Sequence, residues 1–314
     1  MNRLSKSVDS LAPATVITGA THGLGRALAE EFARGGYDLL LVARDEVALR
    51  RTAQELSAAY HVEVRTLAAD LSTEEGCAKV EEALESAGLY AEMLVNNAAL
   101  MTAGFFQDQD PEKLRKIADL NVSAVIDLTR RLLPGMIARH KGGVLNVASV
   151  EGFMPVPYQA TYAATKAFVL SFTRSLSYET MGTGIRISSL APGTIATGMH
   201  AKAGAEYSRY VQYLPAMSAE DVARIGYRNF MRGRKVIVPG LFNKFAALVA
   251  PFVPKLLLVP FAGLLFRVRD AEGNLQWPRP LPKPEASMPH AKTKAAERQA
   301  KAEAASKDAR RIAR

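Results

Sequence analysis

Between Thr15 and about Pro239 the chain alternates seven short apolar runs with segments of helical length, and no proline- or glycine-rich linker interrupts them. The runs lie near 14–18, 37–43, 62–68, 92–95, 143–148, 185–191 and 235–238. Helices are predicted near 24–35, 46–60, 73–87, 111–139, 158–181 and 219–232. Runs that are apolar throughout belong to strands buried on both faces, and strand–helix–strand units return parallel to themselves. The pattern predicts an α/β fold: a Rossmann-like, doubly wound, seven-stranded parallel sheet with helices on both faces. Ser72-Thr73-Glu74-Glu75 and Ser218-Ala219-Glu220-Asp221 mark two helix starts.

The first unit is the most specific. Ala14 to Thr18 reads as a buried strand, Gly19-Ala20-Thr21-His22-Gly23-Leu24-Gly25 as a turn, and Arg26 to Gly35 as a helix with Leu28, Ala29, Phe32 and Ala33 inward. Glycines let the backbone approach phosphates, and a helix N-terminus offers them unpaired N–H groups. The spacing Gly-x-x-x-Gly-x-Gly differs from the commoner dinucleotide fingerprint, but strand, turn and helix together make a pyrophosphate site.

The second strand ends at Arg44, where this fold meets the adenosine ribose. A guanidinium there attracts a 2′-phosphate, so NADP(H) is favoured over NAD(H), with His22 as a second polar contact. The alternative for Arg44 is a solvated surface charge. Asp45 suits the N-cap of the next helix, whose inner face is read as Val47, Leu49 and Leu56. Asp70, followed by Leu71, comes after the third strand; it either accepts from the adenine amine or caps the helix near Thr73. Asn96-Asn97-Ala98-Ala99 follows the fourth strand with small residues that suit a close cofactor. Asn121 falls inside the 111–139 helix, where asparagine has poor propensity, which implies a polar task. Pro192-Gly193-Thr194-Ile195-Ala196-Thr197 follows the sixth strand and suits a nicotinamide carboxamide.

Tyr162 and Lys166 stand four apart on one helix face. An ammonium beside a phenol lowers its pKa, so the pair predicts a proton donor, with Ser149 upstream to hold a substrate oxygen.

Taken together, Thr18 to Gly25, Asn96 to Ala99, Asn121, Ser149, Tyr162 to Lys166 and Pro192-Gly193 resemble the classical short-chain dehydrogenase/reductase (SDR) family over residues 14 to about 240. Ala99 replaces the glycine of that family's Asn-Asn-Ala-Gly stretch, and Thr21-His22 replaces a Ser-Arg pair common among NADP users. The resemblance implies hydride transfer between NADP(H) and a carbonyl or secondary alcohol. Tyr162 would be the general acid or base and Lys166 would lower its pKa and bind the nicotinamide ribose. Ser149 would polarise the substrate, and Asn121 would hold a relay water. The remaining cofactor contacts implied are Gly19, Thr21, His22, Gly23, Leu24, Gly25, Arg44, Asp70, Leu71, Asn97, Ala98, Pro192, Gly193, Ile195 and Thr197.

Other chemistry finds no support in the sequence. The five histidines have no paired spacing, so no metal site is expected. Cys77, the single cysteine, suits a reducing compartment and reads as an inert helix residue. No secretory signal is apparent, and a cytoplasmic location is expected. Met199, Tyr207, Tyr210, Val211, Tyr213 and Leu214, with Phe153, Met154 and Pro155, predict a hydrophobic substrate.

Beyond the 1–240 catalytic domain, residues 241–278 form an apolar extension. Lys255 and the prolines at 251, 254 and 260 argue against one transmembrane span, so two short helices are expected. They either pack on the core, wall the substrate pocket or join a homo-oligomer interface, or else rest on a membrane surface through 245–269. Residues 279–314 hold ten basic and four acidic side chains, six of the nine net positive charges, and read as a disordered tail. Without aromatic residues after Trp277, nucleic-acid binding is not expected. The rival function is a catalytically silent NADP-binding regulatory or membrane-associated protein.

Overall fold

A computed structural model describes residues 11–278. Seven strands, β1 (Ala12–Thr18), β2 (Leu39–Ala43), β3 (Val64–Ala68), β4 (Leu89–Asn96), β5 (Gly143–Val147), β6 (Arg186–Leu190) and β7 (Val236–Ile237), form one parallel sheet in the order β3-β2-β1-β4-β5-β6-β7. Strand order reverses at β1 and β4, whose carboxyl ends open the crevice where such sheets bind ligands.

Neighbouring residues of the central strands serve opposite faces. Ile17, Leu41, Val95 and Leu145 pack with α1 (Gly23–Arg34), α2 (Glu46–Tyr60) and, beyond several intervening helices, the 219–231 segment. Val16, Leu40, Leu94 and Val144 pack instead with α3 (Glu74–Ser86) and the 124–138 segment. All eight side chains are buried, which is why these strands carry no polar alternation.

The predicted helix 111–139 is interrupted. α4 (Pro111–Ala118) and α5 (Ala124–Ala138) flank a π turn, Asp119–Ser123, that holds Asn121. One extra residue in a helical turn loosens the i→i−4 ladder, a feature that concentrates at functional sites. Then follow α6 (Ala160–Glu179), α7 (Met199–Lys202), α8 (Arg209–Tyr213), α9 (Ala219–Met231), α10 (Leu241–Val249) and α11 (Lys255–Phe266).

The caps follow the sequence. Asp45 accepts from the Ala48 N–H, Thr73 from Gly76 and Ser218 from Asp221. Val47 is not on the inner face of α2: it is 79% exposed, and Leu49, Thr52, Ala53 and Leu56 form the buried stripe. That i, i+3, i+4, i+7 set leaves Val47 on the far side. β2 begins at Leu39, and β4 runs from Leu89, longer than the apolar run 92–95. Two short helices, α10 and α11, occupy the apolar extension, and among the described residues no helix is long and apolar enough to cross a membrane. The basic stretch from Arg279 lies outside the described residues.

Candidate active site

A cleft of about 1020 Å³ runs across the carboxyl ends of the strands. Its wall includes every predicted cofactor and catalytic residue except Asn121: the turn residues Gly19 and Thr21 to Gly25, Arg44, Asp70, Leu71, Asn97, Ala98, Ser149, Tyr162, Lys166, Pro192, Gly193, Ile195 and Thr197.

The β1 end is tied to the β4 end through Thr18. Its hydroxyl donates to the Val95 carbonyl (3.2 Å) and accepts from the Asn97 and Ala98 N–H groups (2.9 Å each). Asn97 Nδ2 returns a bond to the Thr18 carbonyl at 2.9 Å. Gly19 adopts φ +66°, and a Cβ on it would lie 2.9 Å from Ala98 Cα, so only glycine fits between the two strand ends. At the start of α1, His22 makes no side-chain cap and the first turn carries no acidic residue. Its N–H groups therefore face the cleft without an internal anion to neutralise them, an arrangement that fits a pyrophosphate. Burial first, then the nearby Lys202, lowers the pKa of His22 while Asp45 raises it, so Lys202 adds positive field beside the same turn.

Arg44 is exposed and makes no ion pair among the described residues. Asp70 does not cap α3, since Thr73 does. Its carboxylate takes the Ser72 N–H and hydroxyl and the Lys116 ammonium at 2.8 Å. Burial raises its pKa, but Lys116 and Ser72 outweigh burial and hold it at about 2.

Ser149, Tyr162 and Lys166 meet at the inner end, all buried. Ser149 follows β5 and caps the next turn, its hydroxyl accepting from the Glu151 N–H at 3.2 Å. Lys166 Nζ donates to the Val147 carbonyl at 2.8 Å and lies 5.6 Å from the Tyr162 ring centroid. The electrostatics differ from the sequence expectation. Burial raises the Tyr162 pKa, Glu151 and Tyr210 raise it further, and only Ser149 lowers it. Lys166 is itself lowered to about 8 by burial, with Glu151 opposing, and its ammonium is turned to a carbonyl. An ammonium so weakened does not offset the loss of solvent around the phenol.

Asn121 stands behind the wall. Its side chain accepts from the Leu100 N–H (2.9 Å) and donates to the Leu100 carbonyl (2.9 Å) and Thr165 hydroxyl (3.1 Å). It thereby fixes the strand-end segment that lines the cleft.

Several wall residues were not legible in the sequence. Glu151, two residues past Ser149, is buried in the cleft, as a charge in an otherwise apolar segment. His200 Nδ1 and Gln159 Nε2 both reach the Tyr210 hydroxyl, at 3.0 and 2.8 Å. Tyr210 stacks on Phe266 with centroids 4.2 Å apart, so α11 braces the substrate side. Of the predicted apolar set, Met199 lines the cleft and Met154, Tyr210, Val211 and Leu214 cluster beside it. Tyr213 is 75% exposed, and Phe153 packs with Val169 and Leu170 away from that cluster. Cys77 is buried, its thiol pushed up to about 12 by burial and then by Asp127. Among the described residues no group of three or more histidines, cysteines or acids could hold a metal.

Residues 13–208 match the family model for short chain dehydrogenases, and the chain belongs to that family. It is similar to a solved short-chain dehydrogenase from Sphingobium yanoikuyae in complex with NADPH, at 34% identity, TM-score 0.68, covering 75% of this chain and 92% of that one. It also resembles a solved 7beta-hydroxysteroid dehydrogenase at 26% identity and TM-score 0.72, covering 81% of this chain and 98% of that one. Among curated proteins, very-long-chain 3-oxoacyl-CoA reductase-A of Danio rerio is 39% identical over 188 residues, 59% of this chain and 58% of that protein. The chain thus spans under two thirds of the length of the curated relatives it matches.

Proposed function

We propose that the chain is an NADPH-dependent oxidoreductase that interconverts a carbonyl and a secondary alcohol on a largely apolar substrate. The observation that carries this reading is the convergence of Ser149, Tyr162 and Lys166 at the inner end of a cleft whose outer end is an uncapped, acid-free helix N-terminus. NADPH supplies the hydride when bound. Gly19 to Gly25 and the first turn of α1 would hold its pyrophosphate, Arg44 its 2′-phosphate, and Pro192 to Thr197 its carboxamide. Ser149 positions and polarises the substrate oxygen. Tyr162, held in its protonated form by burial, would hand its proton to that oxygen. Lys166 would hold the ribose, and Asn121 would contribute to a water relay behind it. Tyr162→Phe keeps the ring and removes the acid. Turnover of NADPH with a series of 2-alkanones is expected to fall at least 1000-fold while NADPH binding survives. Unchanged turnover would reject the reading, and wild-type protein that binds NADPH but reduces nothing would favour the silent regulatory alternative.

We further propose a cytoplasmic enzyme held peripherally at an anionic membrane. Leu241, Phe245, Leu248, Phe252, Leu256 and Leu257 are each more than 60% exposed on α10, α11 and their connection. No Asp or Glu occurs between Asp221 and Asp270, whereas Lys244 and Lys255 are exposed within the apolar stretch and Arg267 and Arg269 follow it in sequence. An apolar face with a basic rim matches an anionic interface, each basic group adding about 1 kcal/mol there. The inner side of the same helices buries Ala247, Leu258, Ala262 and Phe266, so the extension is also structural. Full-length protein with Phe245, Leu248, Leu256 and Leu257 changed to serine should stay active but cease to sediment with phosphatidylserine vesicles. Undiminished sedimentation would sink the membrane reading. Loss of a dimer by light scattering in that variant would show that the face is covered by a second copy.

A further inference from the structure

The reaction as proposed leaves one buried acid in the cleft without a task. Glu151 sits in the 3-10 turn Val150–Phe153 that follows Ser149, and its N–H is held by the Ser149 hydroxyl at 3.2 Å. Its residue is only 7% exposed, and Oε2 has no hydrogen-bond partner. The turn cannot swing away to hydrate it. A Cβ on the next residue, Gly152, would lie 2.7 Å from both the carbonyl carbon and oxygen of Lys166, so the turn lies flush on α6. Lys166, the neighbouring cation, makes no ion pair with it among the described residues and bonds the Val147 carbonyl, so it opposes the effect of burial without cancelling it. The other groups whose fields it shares are the phenols of Tyr162 and Tyr210.

Burying a carboxyl with an unmet oxygen is costly, and a bound group that pairs with it removes that cost. We propose that Glu151 is a substrate-recognition residue that hydrogen-bonds a hydroxyl carried close to the reacting carbonyl. The inference rests on the reading of the cleft as a ketone-reducing site and narrows its substrate class to apolar ketones bearing a neighbouring hydroxyl. Two features favour a hydroxyl over other polar groups. The acid lies beside Ser149 and Tyr162, so its partner must lie near the carbonyl those residues hold. Burial also pushes its carboxyl up to about 8, against the pull of Lys166. A hydroxyl both donates and accepts, and so pairs with the protonated and the ionised form alike. A site built to pair a hydroxyl rejects the analogue that lacks it far more strongly than an apolar site separates two chain lengths.

The test compares NADPH-dependent reduction of decan-2-one with 1-hydroxydecan-2-one and 4-hydroxydecan-2-one by full-length protein. For the wild type, kcat/KM on one of the two hydroxyketones should exceed that on decan-2-one at least 100-fold. In Glu151→Ala that ratio should collapse to within a few-fold of one. Glu151→Gln, which retains both a donor and an acceptor, should hold an intermediate ratio and covers the case in which the alanine variant fails to fold. Wild-type reduction of decan-2-one as fast as of both hydroxyketones would overturn the assignment while leaving the reductase reading intact. An unchanged ratio in both variants would overturn it too, since a residue that merely tunes Tyr162 would slow all three ketones alike. Failure to reduce any of them, with NADPH bound, would overturn both readings.

Discussion

Gly25→Ala is a one-carbon change whose effect follows from the geometry of the cofactor turn. Gly25 has ordinary helical φ, so backbone conformation is not the constraint. Contact is. A Cβ there would lie 2.1 Å from the Gly19 carbonyl oxygen and 2.4 Å from Asn97 Nδ2. Neither neighbour yields freely: the carbonyl is main chain, and Asn97 Nδ2 bonds the carbonyls of Thr18 and Gly19. α1 must therefore shift off the turn or Asn97 must release it. Overpacking costs about 1–3 kcal/mol and a released buried amide about 1 kcal/mol. Better helix propensity returns at most about 1 kcal/mol. The net loss of about 1–3 kcal/mol should lower the melting temperature by about 2–12 °C in a domain of this size. The same displacement misaligns Gly19 and the first N–H groups of α1, so NADPH affinity, read by fluorescence titration, should fall at least tenfold. Gly36→Ala is the control. Gly36 has φ +79° but open space around its Cβ position, so alanine there should cost about 1 kcal/mol and leave NADPH binding alone. A Gly25→Ala protein with wild-type melting and wild-type NADPH affinity would refute the steric argument.

Two further outcomes can be measured directly. Arg44→Asp should weaken NADPH and strengthen NADH, because a carboxylate repels a 2′-phosphate and accepts from a 2′-hydroxyl; tighter wild-type binding of NADH than of NADPH would contradict the role given to Arg44. The depressed pKa of Asp70, from 3.8 to about 2, contributes stability that is complete above the unfolded pKa and lost as pH falls from about 4 through 2. Because the Asp70 and Lys116 side chains are 35% and 41% exposed, solvent screening leaves under about 1 kcal/mol. Lys116→Ala should therefore lower the melting temperature slightly at pH 7, with the gap to wild type narrowing toward pH 3; a constant gap would indicate lost packing instead of lost charge.

The sequence by itself determined the sheet, the cleft and the chemistry at its centre. Those features are written in local pattern: apolar runs such as Leu39 to Val42 need burial on both faces, and the glycine turn between β1 and α1 has one low-energy shape. The i, i+4 spacing of Tyr162 and Lys166 needs only a helix. Tertiary structure decided what depends on partners distant in the chain. Asp70 gained Lys116 as a partner because α4 passes over it, and the cap that the sequence also allowed it went to Thr73. The 111–139 helix broke at Asn121 because its side chain found Leu100 and Thr165, a pairing that spacing cannot reveal. The Tyr162 pKa rises where the Lys166 spacing alone implied a fall. Burial and the field of Glu151 depend on how the Val150–Phe153 turn lies on α6, and desolvation is set by every atom that excludes water, not by the neighbours in the chain.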